Sequence, residues 1–167
     1  MRVEILEESS HYVVVALVDR SVELEAAAEL VWNAVKTPAA FRTVTRGLLR
    51  MPVIANRDGE WREGETVVGW VFLFGLIPFS RHHLHIARID DGDQILRSQE
   101  HGGLVRLWNH EIEVEPISEC RCRYTDRIEI DAGLLTPAVV GYARVFYRLR
   151  QRRWRVLALE IKQREAS

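Results

Sequence analysis

A chain of 167 residues suits one domain of ordinary size, and 47% apolar residues are enough to fill its core. With 23 Lys and Arg against 24 Asp and Glu, the net charge is −1, so there is no overall field to gather nucleic acid. No apolar run is long enough to span a bilayer, and the start, "MRVEILEESSHY", lacks the apolar stretch and cleavage site of a secretory signal. These features point to a cytoplasmic protein with no integral membrane segment and no nucleic-acid partner, as a monomer or homodimer.

In chain order, "HYVVVALVDRSVELEA" is Val-rich without helical period and predicts a long strand over 11–26. Leu30, Val31, Ala34 and Val35 then fall at helical spacing. Pro38 stops that helix and opens a second short one running to about Gly47. "RMPVIAN" reads as a weak strand and "RDGEWREG" as turn material. "ETVVGWVFLFG" and "PFSRHHLHIARID" read as neighbouring strands joined by "LIP", and "DDGD" as an antiparallel turn. "QILRSQEH", the "GG" turn and "LVRLWNHEIEVEP" form a hairpin, and "ISE" leads into the strand "CRCRYTDRIEID". Cys120 and Cys122, the only cysteines, alternate there with Arg121 and Arg123. Two apart on a strand they close a disulfide poorly, and two thiolates are too few for a closed zinc site, so two buried free thiols are expected. Thr136-Pro137 reads as a helix cap followed by a first-turn proline. From there to about Lys162 one long amphipathic helix follows, with Val139, Tyr142, Ala143, Phe146, Leu149 and Leu157 on its apolar side. Arg144, Arg148, Arg152 and Arg155 lie opposite, a solvated face in preference to an RNA or membrane site.

The order is one long strand, two short helices, about six further antiparallel strands and a long helix. It predicts an α+β fold in which a curved antiparallel sheet of about seven strands wraps the last helix and leaves a cleft where the layers diverge.

Three stretches resemble a known group. "SVELEAAAELVWNAVKTPAAF" is similar to an acidic strand followed by A-x-x-x-V-W and a proline-initiated second helix. "LWNHEIEVEPISECRCRYTDRIEID" is similar to a W-x-H strand, a short turn and a strand with Thr-Asp. "VFYRLRQRRWRVL" is similar to the Phe-x-x-Arg region of a last helix. These resemble the START-like, or SRPBCC, superfamily with the helix-grip fold, including its polyketide cyclase/dehydrase-like and coenzyme Q-binding-like subfamilies. The resemblance implies one domain over 1–167, with 1–20 an N-terminal extension or a lengthened first strand. It also implies a hydrophobic or aromatic ligand of lipid, quinone or polyketide class.

Candidate site residues follow from the faces of the strands. Arg106, Trp108 and His110 share the drier face of their strand, where a plain core would place Val, Ile or Leu. Tyr124 and Asp126 occupy the apolar register of the next strand. His110 and Asp126, counted back from the turn after Pro116, fall roughly opposite each other. They form either a cross-strand anchor or an acid–base pair. Trp70, Phe72 and Phe74 form an aromatic stripe, read as core or cavity wall. His83 and His85 share a face as ligand contacts; without a third partner they predict no metal site. Phe146 would add a wall from the last helix. Arg153, near the middle of the apolar arc, either lies beyond the sheet or reaches into the cavity. No P-loop, dinucleotide fingerprint or Gly-x-Ser-x-Gly motif is present, and no cofactor is expected.

Three functions fit: a carrier holding a hydrophobic or aromatic small molecule between the last helix and the sheet; a polyketide cyclase or aromatase-like enzyme in which His110 and Asp126 move protons; or a ligand-free interaction module.

Overall fold

The computed structural model describes residues 2–8 and 11–165, with 2–8 and 11–14 given as backbone. Eight strands form one sheet: β1 (Arg2–Glu8), β2 (His11–Leu24), β3 (Leu49–Arg50), β4 (Thr66–Leu73), β5 (Ile77–Asp90), β6 (Ile95–Gly102), β7 (Val105–Ser118) and β8 (Arg121–Asp131). The helices are α1 (Ala28–Val35), α2 (Pro38–Thr45), the single turn α3 (Pro52–Ala55) and the long α4 (Thr136–Glu165). Strand order is β1-β2-β8-β7-β6-β5-β4-β3, and every neighbouring pair is antiparallel. This is the helix-grip arrangement, with two short helices after the first long strand and the sheet curved around α4. Of the N-terminal stretch 1–20, residues 1, 9 and 10 lie outside the described residues. The remainder forms β1, which pairs along the edge of β2, and the first part of β2.

Local chemistry accounts for the elements. Thr37 caps α2, its hydroxyl accepting from the Ala40 amide at 3.1 Å, and Pro38 takes the first turn, where its missing N–H costs nothing. Trp32 Nε1 and Lys36 Nζ both donate to Asp91 Oδ1, at 2.7 and 2.8 Å, tying α1 to the turn after β5. Register shifts interrupt the β4/β5, β5/β6, β6/β7 and β7/β8 ladders. Each such bulge adds twist and bend, which is how a flat ladder becomes a trough around a helix.

Several expectations need correction. "RMPVIAN" is not a strand: β3 ends at Arg50 and Pro52 starts the turn of α3, since proline suits the first turn of a helix better than a ladder. Cys120 is exposed, because it sits in the turn before β8 and outside its alternation; Cys122 is buried, and both are free. Thr136 does not cap α4 forward. A 3-10 turn (Gly133–Leu135) precedes it, and the Thr136 hydroxyl donates to Gly133 O and accepts from Ala132 N. The buried face of α4 carries Ala143, Phe146, Tyr147, Arg150, Gln151, Trp154 and Ala158, rotated from the expected apolar arc. Arg153 does not line the cavity: half-buried, it donates from Nη1 to Val44 O near the end of α2 at 3.2 Å. Arg144, Arg148, Arg152 and Arg155 are exposed.

Candidate functional site

The alternation of strands carries a row of polar side chains across the inner face of the sheet. Ser98 lies directly opposite His110 on the β6/β7 ladder. His110 pairs with Ile128, and Asp126 with Ile112, so His110 and Asp126 are diagonal neighbours on one face of β7/β8. That diagonal is within reach of a histidine, and His110 Nε2 donates to Asp126 Oδ1 at 2.9 Å. On the other side, Leu84 pairs with Glu100, and the inward neighbour His82 donates from Nε2 to Glu100 Oε2 at 2.9 Å. Ser98 Oγ donates to Glu100 Oε1 at 2.7 Å.

Helix α4 completes the cluster. Tyr124 OH donates to Asp126 Oδ1 at 2.9 Å, and Arg150 Nη2 donates to the Tyr124 oxygen at 3.0 Å. Arg150 Nη1 stands 3.6 Å from Asp126 Oδ1. Gln151 Nε2 bridges Asp126 Oδ2 at 3.1 Å and the Arg20 carbonyl at 2.7 Å. Asp126 is wholly buried and accepts from three side chains, as an ion removed from water must. Burial pushes its carboxyl up, but the Arg150 charge and the hydrogen bonds from His110 and Tyr124 outweigh it and hold the carboxyl below its ordinary range. Glu100 is also held low: burial opposes, and the His82 hydrogen bond and charge overcome it. Burial raises the Tyr124 and Tyr147 phenols well above their ordinary value. The guanidinium of Arg150 lies over the Tyr147 ring, 5.5 Å from its centroid.

Two adjoining chambers lie between α4 and the sheet. One is walled by Met51, Val71, Leu73, Trp108 and Phe146. The other is walled by Trp61, Ile86, Leu96, Ile112 and Trp154. Phe41, Glu100, His110 and Arg150 line both. An apolar cavity thus has three ionisable groups where its two halves meet.

The candidate residues fall into three groups. Trp108, His110 and Phe146 line the cavity. Tyr124 and Asp126 line neither chamber and sit behind His110 and Arg150. The remaining five, Trp70, Phe72, His83, His85 and Arg106, correct the expectation, and Phe74 joins them. Trp70 is 54% exposed, on the outer face of β4 with Phe72. The inner face of β4 is Val67, Gly69, Val71 and Leu73, and at Gly69 α3 packs so closely that a Cβ would stand 2.6 Å from Val53 Cγ1. Phe74, 58% exposed, sits in the turn at positive φ. His83 and His85 face outward. His83 stacks on His101 at 4.6 Å, and His85 Nδ1 meets Thr66 Oγ1 at 2.9 Å. The period of a strand fixes which residues share a face but not which face is inside, and here His82 goes in with Leu84 and Ile86. Arg106 does not reach the cavity: the β6/β7 ladder slips a residue between Trp108 and Val105, so Val105 lines the chamber and Arg106 is exposed beside Gly133. Among the described residues no three His, Cys, Asp or Glu converge as a metal site would require.

Arg150, Glu100, His82 and Gln151 belong to the site and do not stand out from the sequence as candidates. For Arg150 a signal exists: it lies four residues from both Phe146 and Trp154, on the buried stripe. Glu100 carries none, since neither face of "QILRSQEH" is apolar throughout.

A family model described as a domain of unknown function (DUF8410) matches residues 22–158. The chain belongs to the DUF8410 family. No curated protein matches the chain. Among solved structures, this DUF8410 chain is similar to norcoclaurine synthase from Thalictrum flavum in complex with dopamine and hydroxybenzaldehyde. There the TM-score is 0.64, at 15% identity over 88% of each chain. It is also similar to the ZhuI aromatase/cyclase from Streptomyces sp. R1128, with TM-score 0.61 and 14% identity over 92% of this chain and 96% of that one. A START superfamily protein from Mycobacterium smegmatis matches with TM-score 0.65 and 10% identity, over 87% of this chain and 98% of that one. These likenesses establish for the DUF8410 chain a START/SRPBCC-like helix-grip fold.

Proposed function

We propose that the protein is an enzyme of the cyclase or aromatase type, moving protons on a hydrophobic or aromatic small molecule that carries a carbonyl group. The observation that carries this reading is the charged junction of the cavity, where Glu100, His110 and Arg150 face the same space. A carrier of apolar ligands gains nothing from burying such groups, since each costs desolvation; a proton-transfer site requires them. Two fold relatives, an aromatase/cyclase and a synthase solved with dopamine and hydroxybenzaldehyde, support the same class.

In this reading His110 is the base. Its Nε2–H is engaged by Asp126, which leaves Nδ1 to take a proton from the carbon next to a bound carbonyl. Asp126 fixes the tautomer and stabilises the imidazolium that forms. The carbanion then attacks a second carbonyl of the same chain, whose oxygen takes up the proton, and the cavity walls decide which carbons meet. Carriage without chemistry is the second reading, favoured by the apolar wall of Met51, Val71, Leu73 and Phe146.

The test follows exchange of the methyl protons of 2-acetonaphthone for deuterium by NMR in heavy water. Exchange above the buffer rate, lowered by about a hundredfold or more in His110→Ala, is expected. Exchange no faster than buffer, or unchanged in that variant, leaves carriage as the function.

A further inference from the structure

Most polar atoms inside this protein have a partner, as buried polar atoms do. Two that do not are neighbours on one helix. Arg150 is 4% exposed and Trp154 1%, and Arg150 Nε and Trp154 Nε1 have no hydrogen-bond partner in the protein. Positions four apart stack on one face of a helix, one turn above the other. Both side chains line the same chamber, beside Val35, Ile86, Leu96 and Ile112. The chamber's own acceptors Ser98 and Glu100 are bonded to each other, and neither reaches these two nitrogens.

We propose that Arg150 Nε and Trp154 Nε1 form a twin-donor subsite that receives the carbonyl oxygen of the ligand. The proposal rests on the reading that this cavity binds a carbonyl compound, and it fixes the direction of binding. The oxygen goes toward Trp154, and the apolar body extends past His110 toward Phe146.

The chemistry of the walls selects a neutral oxygen over a carboxylate. Both donors are acceptor-seeking and neither can accept. The surroundings already hold two carboxylates, Asp126 behind Arg150 and Glu100 at the junction. An anionic ligand would add a third negative charge beside one guanidinium. A ketone or aldehyde oxygen brings none until the reaction begins. It then gains charge at the place where Arg150 faces it, which is the requirement for stabilising an enolate. Arg150 also keeps its place without the ligand, because Nη2 donates to Tyr124 and the guanidinium rests over Tyr147. The donors are thus held before substrate arrives.

The experiment is a double cycle of ligand and protein. 2-Acetonaphthone and 2-ethylnaphthalene share a skeleton and differ in the oxygen; 2-naphthoate supplies the anion. Affinities are measured by calorimetry for the natural protein and for Trp154→Phe, which keeps a ring and removes the donor. The ketone-to-hydrocarbon affinity ratio should fall about fivefold in Trp154→Phe, the scale of one hydrogen bond, while the hydrocarbon's own affinity stays within about twofold. 2-Naphthoate should bind the natural protein more weakly than the ketone. An unchanged ratio, naphthoate binding tighter than the ketone, or no binding of the ketone overturns the proposal. A measurement independent of the variant's folding is the infrared carbonyl stretch of 2-acetonaphthone bound to the natural protein. It should move to lower frequency than in a hydrocarbon solvent, and a stretch at the hydrocarbon position overturns the subsite. The proton-exchange result separates this proposal from the function it rests on. A falling ratio without exchange keeps the subsite and removes the catalysis; exchange with an unchanged ratio does the reverse.

Discussion

Asp126→Asn is the substitution that probes the cluster most directly. The carboxylate accepts from His110 and Tyr124 on Oδ1 and from Gln151 on Oδ2, and it is the nearest anion to Arg150. An asparagine side chain keeps one oxygen and turns the other into an NH2 group. Whichever way it is turned, a donor then faces a donor, and Arg150 is left buried without its counter-charge. Breaking one side of a buried ion pair costs about 3–5 kcal/mol. At about 2–4 °C per kcal/mol for a chain of this size, the melting temperature should drop by roughly 6–20 °C. Urea denaturation followed by tryptophan fluorescence gives the free energy, provided the slope against urea stays constant. The double variant with Arg150→Met should cost less than the sum of the two single changes, by about 1–3 kcal/mol. If Asp126→Asn lies within about 1 kcal/mol of the natural protein, or the two changes simply add, the cluster is not a charge-compensated unit.

Acid should unfold the protein through the same groups. The folded carboxyls of Asp126 and Glu100 lie below their ordinary values of 3.8 and 4.5. Their contribution is therefore complete above those values and disappears as pH falls through the lower folded ones. Urea midpoints should hold from pH 7 to about 5 and fall below about 4, less steeply in Asp126→Asn; an equal slope in both would be contrary to this linkage. Burial pushes the Cys122 thiol up to about 11, whereas Cys120 is exposed. At pH 8 iodoacetamide should add once to the folded protein and twice in urea by intact mass, and fast double labelling of the folded chain would contradict the burial. A Cβ at Gly102 would stand 2.4 Å from Arg81 O and 2.8 Å from His82 Cα. Gly102→Ala should cost about 1–3 kcal/mol, measured by urea denaturation, and an unchanged midpoint would refute the clash. Trp70→Ser, on the outer face, should alter stability by about 0.5 kcal/mol or less; a larger loss would place Trp70 inside.

The fold was legible because its signals are periodic. β7 and β8 alternate between glutamates or arginines and apolar side chains, and Thr37-Pro38 punctuates the two short helices, so each element is decided within its own few residues. The site is a different kind of information. Aromatic rings and imidazoles suit a cavity wall, so the residue types of Trp70 and His83 point inward, whereas both face out. On β4 the inner face is the one that carries Gly69, where α3 leaves no room for a side chain. Arg150 stayed hidden because a charged residue on a helix reads as solvated. It is buried because Asp126, 24 positions earlier, supplies its counter-charge, and no local pattern reports a partner at that distance.

Asp126 and His110 belong to one hairpin, joined by a tight turn, while Arg150 and Gln151 arrive on the last helix. The carboxylate and its histidine therefore meet through short-range pairing, on a trough still open to water. Docking of α4 removes the water and in the same motion delivers the guanidinium and the amide that replace it. The chain never has to bury Asp126 as a lone ion. The folding order this predicts is an early hairpin, at little loop-closure cost, and a late helix. In the kinetics, substitutions at Arg150 should speed unfolding and leave the folding rate nearly unchanged. The part of the molecule that completes the site is then also the part that locks it.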